Sequence, residues 1–325
     1  MLSSKIRPQI AQAYLLARAT DTIADTDSVP SETRTKTLTE LRNAVLNIAP
    51  YHIDPVYLNP KMDAGERELL ENIESVILGL KNFSPEDRQD ISTVLDIITR
   101  GQLLDLERFV VNSQPNEVRS LAKETELDEY TYLVAGCVGE FWTKICRRHL
   151  YPQKEIDMRQ FLELAIRFGK GLQMVNILRD LPADLKTGRC YMPTEILDNL
   201  GLSPESLKNA ASYSKLESYY RSLLLRAIEH LEQGVLYIQK TPCQCSTWLM
   251  RLGCTWPILL GFRTLELLAE TNPLDASQRV KVSRPEVKKI LRKTVFLGFV
   301  PGGWNRMMRK YAAAAREKVR GRHGQ

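Results

Sequence analysis

Several absences narrow what this chain does. No apolar run approaches the roughly 18 residues that cross a bilayer as a helix. The start, Met1-Leu2-Ser3-Ser4-Lys5-Ile6-Arg7-Pro8, has no apolar core of the kind a secretory signal needs. A cytoplasmic protein is therefore expected, peripheral at the inner face of a membrane where a basic segment meets lipid. The six cysteines form no CxxC pair, and the one close pair, Cys243-Gln244-Cys245, has poor metal spacing. Reduced, mostly buried thiols follow. Four scattered histidines (His52, His149, His230, His323) supply neither a His-rich metal centre nor a Ser-His triad. Asn-Gly and Asp-Gly turns are missing, as is any convincing alternation of period two, so hairpins are not expected.

What is present suits one large helical domain: 325 residues, 43% hydrophobic and 26% charged, enough for a real core. The net charge of +6 conceals an asymmetry. Residues 279–325 hold fourteen Lys/Arg against two Glu, whereas residues 1–278 hold 31 basic and 37 acidic residues. The reading is a 1–278 all-α domain followed by a basic 279–325 extension, either part of that domain or a membrane-surface contact. A basic tail of this kind can meet anionic lipid or a negatively charged cofactor; nucleic acid is not an expected partner. Phe296, Phe299 and Trp304 stand beside its cations, and they either lie on a membrane surface or pack onto the body.

Helical period recurs along the chain. Ile10, Ala13, Tyr14 and Ala17 form a stripe leading to Asp21. Ser84-Pro85 reads as an N-cap with proline at the first helical position, ahead of Ile91, Val94, Leu95 and Ile98. Phe161–Leu181 is apolar on most faces and belongs inside; long helices follow at Ser214–Ile238 and Ser246–Leu268. Breaks fall at Asn47–Lys61, Asn112–Glu117, Thr241–Pro242 and Asn272–Pro273, none resembling a linker between domains.

Two carboxylate pairs share one internal spacing: Asp21-x-x-x-Asp25 and Asp180-x-x-x-Asp184. Residues four apart share a helix face, where like charges cost stability. A hard divalent cation reverses that sign, and Mg²⁺ fills its remaining sites with water and substrate phosphate. Two such clusters facing each other would clamp a diphosphate. Arg18 lies one turn before Asp21, which leaves a structural ion network as the alternative there. Gln173, Asn176, Asp180 and Asp184 keep to one face of an otherwise apolar helix, and polar groups in that setting need partners. Pro182 is expected to end or kink this helix before Asp184. Glu86 and Asp90 repeat the spacing but follow Ser84-Pro85 and read as first-turn acids. Lys186, Arg189 and Tyr191 surround Gly188, either holding a leaving diphosphate or simply solvated. Gly136 and Gly139, after Tyr130, allow close approach of another helix or a lipid chain. Tyr130 either stacks on a cationic intermediate and supplies a hydroxyl, or fills the core.

These motifs, with Tyr130-x-x-x-Val134-Ala135-Gly136-x-Val138-Gly139 and Gly188-Arg189-x-Tyr191-x-Pro193 in that order, resemble the squalene/phytoene synthase family. The likeness runs from Lys5 to Leu268. It implies an all-α isoprenoid synthase-type bundle around a central apolar cavity, joining two prenyl diphosphates head to head with Mg²⁺. By the resemblance, Asp21, Asp25, Asp180 and Asp184, with Asn176 beside the second pair, hold Mg²⁺–diphosphate. Arg18, Arg179 and Arg189 bind diphosphate oxygens, Gln173 lines the pocket, and Tyr130 assists ionisation or proton handling. Leu252-Gly253-Cys254-Thr255-Trp256-Pro257 and Val280-Lys281-Val282-Ser283-Arg284 are similar to segments of the squalene-forming branch. That branch implies two farnesyl diphosphates converted through presqualene diphosphate to squalene, a steroid or hopanoid precursor. Lys281 and Arg284 would then contact NADPH. The alternatives are a family member making presqualene diphosphate, dehydrosqualene or phytoene without reductant, and a non-catalytic membrane-associated scaffold of the same fold. The likeness departs at the start, where Leu2-Ser3-Ser4 does not match the family's Ser-x-Ser-Phe-type segment; reduced activity is the expectation that follows.

Overall fold

The computed structural model describes residues 2–59, 62–110, 117–298, 300 and 302–321. Helix makes up 76% of the chain, and the one extended pairing among the described residues is two residues long, so the fold is all-α as expected. In chain order the helices are α1 (Arg7–Asp25), α2 (Ser31–Asn47), α3 (Ala64–Glu71), α4 (Ile73–Gly79), α5 (Pro85–Phe109), α6 (Glu124–Thr131), α7 (Cys137–Leu150), α8 (Met158–Lys186), α9 (Thr194–Asn199), α10 (Tyr213–Lys240), α11 (Trp248–Leu268), α12 (Arg284–Leu297) and α13 (Gly303–Arg320). Contacts group them into two compact units. One is Ser4–Gln114 with Phe141–Pro152; the other is Met1–Ser3, Pro115–Glu140 and Gln153–Gln325.

In the amino-terminal unit α5 packs on α1 and α2. It begins as its sequence dictates: Ser84 Oγ accepts from the Asp87 amide (3.2 Å) and Pro85 occupies the first turn, where no backbone donor is needed. The buried face of α1 is Gln9, Ala13, Leu16, Thr20 and Ile23, spaced four and three apart. This corrects the stripe read from Ile10, Tyr14 and Ala17, since Tyr14 is exposed. Leu16 and Ile23, two turns apart, are both fully buried, and they set the helix's rotation. Asp90 also departs from expectation. Glu86 lies in the first turn, but Asp90 sits beyond it and takes Arg148 Nη2 at 2.6 Å. Asp87, 2% exposed, gathers Gln9 (3.0 Å), Arg148 (2.6 Å) and His149 (2.9 Å). Burial pushes its carboxyl upward, yet bonds from His149, Gln9 and Arg148 hold it below the usual range.

The carboxy-terminal unit is built on α8, α10 and α11, with α12 on α11 and α13 on α10 and α11. Phe161 of α8 stacks on Tyr237 of α10 at 4.4 Å. Gly139 and Gly169 mark a backbone-to-backbone approach. A Cβ on Gly139 would fall 2.1 Å from the Ala165 carbonyl oxygen, and one on Gly169 would fall 2.2 Å from that of Ala135. A neighbouring helix, rather than a lipid chain, therefore fills the space those glycines leave. Between α6 and α7 the backbone makes a π-turn over Tyr132–Gly136. The extended pair, β1 (Arg119–Ser120) and β2 (Arg189–Cys190), is parallel and was not foreseen.

Trp304, at the head of α13, is buried against Trp248 (5.0 Å) and donates Nε1–H to the Thr294 carbonyl at 2.6 Å. Phe296 is exposed; Phe299 and Pro301 lie outside the described residues. The same holds for the start of the break read at Asn112–Glu117, of which only Glu117 is described. None of the six cysteines is disulfide-bonded; four are buried, and Cys243 and Cys245 are exposed. No helix among the described residues is long and apolar enough to cross a membrane.

Candidate active site

Asp21 and Asp25 occupy the last turn of α1, Asp21 half-buried and Asp25 exposed. Gln102 of α5 donates Nε2–H to Asp21 Oδ1 at 2.5 Å. Its position continues the apolar series Ile91, Leu95, Ile98, and a polar residue on such a face was the one sequence signal for it. Burial raises the Asp21 carboxyl above its ordinary value; the Gln102 bond opposes this and the Asp25 charge adds to it. Gln102 Oε1 is itself buried with no hydrogen-bond partner among the described residues. Arg18, one turn earlier, pairs with Glu66 of α3, a partner 48 residues away that sequence reading missed.

The second cluster lies on α8. Gln173 and Asn176 are adjacent, Asn176 Nδ2 lying 3.5 Å from Gln173 Oε1. Arg179 forks onto Asp180, with Nε and Nη2 reaching its two oxygens at 2.9 and 2.5 Å. That bond holds the guanidinium proton more tightly than usual against partial burial, and the Asp180 and Asp184 charges add to it. Pro182 does not end the helix: α8 continues to Lys186, so Asp184 stays one turn beyond Asp180. The physical reason lies on α10. Proline's missing N–H leaves the Leu178 carbonyl without its helical donor, and the Tyr220 hydroxyl, fully buried, donates to that oxygen at 3.0 Å. Burial drives the Tyr220 hydroxyl's pKa far up, which keeps the donor protonated.

After α8 the chain turns through Gly188 at φ +80°, where a Cβ would also fall 2.8 Å from the Glu117 carbonyl oxygen. The Arg119 amide bonds Gly188 O (2.9 Å) and the Leu121 amide bonds Cys190 O (3.2 Å), which pins Arg189 in β2. The next residue but one, Tyr191, stacks on Tyr130 (4.8 Å, 25°) and donates its hydroxyl proton to the Tyr130 oxygen at 3.1 Å. Two residues 61 positions apart in sequence thus form one buried phenol pair. Lys281 is exposed ahead of α12, and Arg284 opens that helix, also exposed.

Among the described residues no three His, Cys, Asp or Glu are grouped to hold a metal by themselves. Each acidic cluster offers two carboxylates. That is the number Mg²⁺ usually takes from protein, with water and substrate phosphate completing its shell. The residues present suit the ion.

Comparison with known proteins agrees with this architecture. TcSQS, in complex with the ligand E5700, superposes with a TM-score of 0.78 at 19% identity, covering 98% of this chain and 89% of that one. A dehydrosqualene synthase in complex with ligand gives 0.63 at 18% identity, covering 91% and 88%. The fold is the all-α isoprenoid synthase fold. A family model described as squalene/phytoene synthase matches residues 1–286, and the chain belongs to that family. The presqualene diphosphate synthase of Rhodopseudomonas palustris is 29% identical over 239 residues, 73% of this chain and 72% of that enzyme. The squalene synthase of Gibberella zeae is 27% identical over 297 residues, 89% of this chain but only 59% of its own length.

Proposed function

We propose that this chain is a Mg²⁺-dependent head-to-head prenyl transferase that condenses two farnesyl diphosphates to presqualene diphosphate and, with NADPH, carries the product on to squalene. The observation that carries this reading is the continuity of α8 through Pro182, which keeps Asn176, Asp180 and Asp184 on successive turns of one helix. Asp21, Asp25, Asp180 and Asp184, with Asn176, would hold Mg²⁺, which when bound neutralises charge on the departing diphosphate. Arg18, Arg179 and Arg189 bind diphosphate oxygens as charge-assisted donors, and Arg179 exchanges Asp180 for phosphate. Gln173 lines the pocket. The stacked Tyr130–Tyr191 pair presents aromatic faces to cationic charge and a phenol oxygen through which a proton is passed. An apolar pocket, which the family likeness implies, would exclude water that quenches the reacting carbon. Lys281 and Arg284 contact the phosphates of NADPH.

The second reading, a synthase that stops at presqualene diphosphate, is favoured by the likeness to the R. palustris enzyme. One experiment separates them: purified protein is incubated with farnesyl diphosphate and Mg²⁺, with and without NADPH. Presqualene diphosphate without the reductant and squalene with it are expected. Presqualene diphosphate in both arms selects the second reading. No coupled product in either arm removes both.

A further inference from the structure

Beyond Arg284, the outward face of α12 has no role in that chemistry. Arg284, Lys288 and Arg292 follow one another at four-residue intervals, as do Lys289 and Lys293 beside them. Like charges at that spacing destabilise a helix. These cations and Phe296 line an open groove of about 730 Å³ to which no acid contributes. No ion pair to Lys288, Lys289, Arg292 or Lys293 occurs among the described residues, although acids stand nearby. Glu286 and Glu266 both go to Arg263 instead (2.6 and 2.9 Å). On the far side of Lys289 and Lys293 a second groove adds Arg306 and Lys310 of α13, together with Glu266 and Glu286, which are turned to Arg263.

At the end of this cationic face the surface becomes apolar. Phe296 is 80% exposed, more than any other large hydrophobic residue described, with Val295 and Val300 also exposed beside it. The helix is held from behind by Ile290 and Thr294, both buried, so the exposed face is not free to roll inward. From Arg284 to Phe296 the stripe runs about 18 Å.

We propose that α12 docks this protein onto an anionic phospholipid bilayer, Lys288, Lys289, Arg292 and Lys293 meeting headgroup phosphates and Phe296 entering the boundary of the acyl chains. A row of unpaired cations needs a polyanionic partner, and an exposed phenylalanine at its end needs an apolar phase; an anionic bilayer supplies both. A nucleic acid supplies only the first. The proposal is independent of the reaction product. It also places the contact on α12 and not on α13, whose apolar residues Trp304, Met307, Met308, Ala312 and Ala315 are buried in the carboxy-terminal unit. Truncation after Val300 would expose that core, so point substitutions are the proper test.

The full-length protein is sedimented with vesicles of phosphatidylcholine alone, or with about one third phosphatidylglycerol, at low and raised salt. Wild type should pellet with the anionic vesicles only and be released by salt. K288A/R292A/K293A should lower the partition coefficient on the order of 100-fold, and F296S on the order of tenfold, while both variants melt as wild type does. Failure of wild type to pellet, equal pelleting with neutral vesicles, or wild-type partition by both variants would overturn the assignment. So would tighter binding to a duplex oligonucleotide than to the anionic vesicles.

Discussion

Burial pushes the Asp21 carboxyl above its ordinary range, the Gln102 amide pulls against it, and the Asp25 charge pushes further. A raised folded-state pKa means that ionising Asp21 disfavours the fold. The penalty is absent below about pH 4, where the carboxyl is protonated in both states, and it grows as pH rises through the folded value. Asp21→Asn keeps an oxygen for Gln102 and removes the charge. Without Mg²⁺ and diphosphate this variant should be more stable at neutral pH by about 1 kcal/mol, and the gain should fade toward about pH 4. Product formation should fall on the order of 10³-fold. Thermal melts across pH check the first part, and a variant that melts at or below wild type at neutral pH contradicts it. The spacing of Asp21 and Asp25 was legible because it is local, as was the need of buried acids for partners. Gln102 and Glu66 were not, since 81 and 48 residues separate them from Asp21 and Arg18.

At the scale of the element, α8 shows why a helix can run on past a proline that a local rule takes as an end or a kink. Proline within a helix removes one hydrogen bond and crowds the preceding turn, and nothing near Pro182 in sequence announces a remedy. The remedy is Tyr220, 42 residues beyond Leu178. Tyr220→Phe should therefore cost about 1–3 kcal/mol, the penalty of a buried carbonyl left without a donor. In a Pro182→Ala background the same change should cost less, because the alanine amide can bond Leu178 itself. Denaturant melts of the four proteins close this cycle; an equal cost in both backgrounds would show that the hydroxyl serves some other purpose. The capping of α5 by Ser84-Pro85, in contrast, was readable because an N-cap is made within four residues.

For the whole molecule, both acidic clusters serve one reaction in the proposed reading, and this has a thermodynamic signature. Mg²⁺ with inorganic diphosphate should raise the melting temperature of wild type, because a ligand bound only by the folded state stabilises it by mass action. Asp21→Asn and Asp180→Asn should each abolish most of that shift, and the double variant should lose little more. Two partial, additive losses would mean two independent sites. In the carboxy-terminal unit a similar logic of scale separates Trp304 from Phe296. Both are aromatic residues beside cations in one basic segment, yet one is buried on Trp248 and the other faces outward.

From the sequence alone came the all-α class, the start of α5, the two carboxylate pairs, the glycines of close approach and the family likeness. All of these depend on periodicity or spacing within a few turns, or on the order of short motifs. Packing decided which side of α1 is buried, that α8 survives its proline, that Tyr130 lies on Tyr191, and that Lys288, Lys289, Arg292 and Lys293 have no ion pair among the described residues. Those outcomes depend on contacts between residues tens of positions apart, and only the folded chain brings such residues within reach of one another.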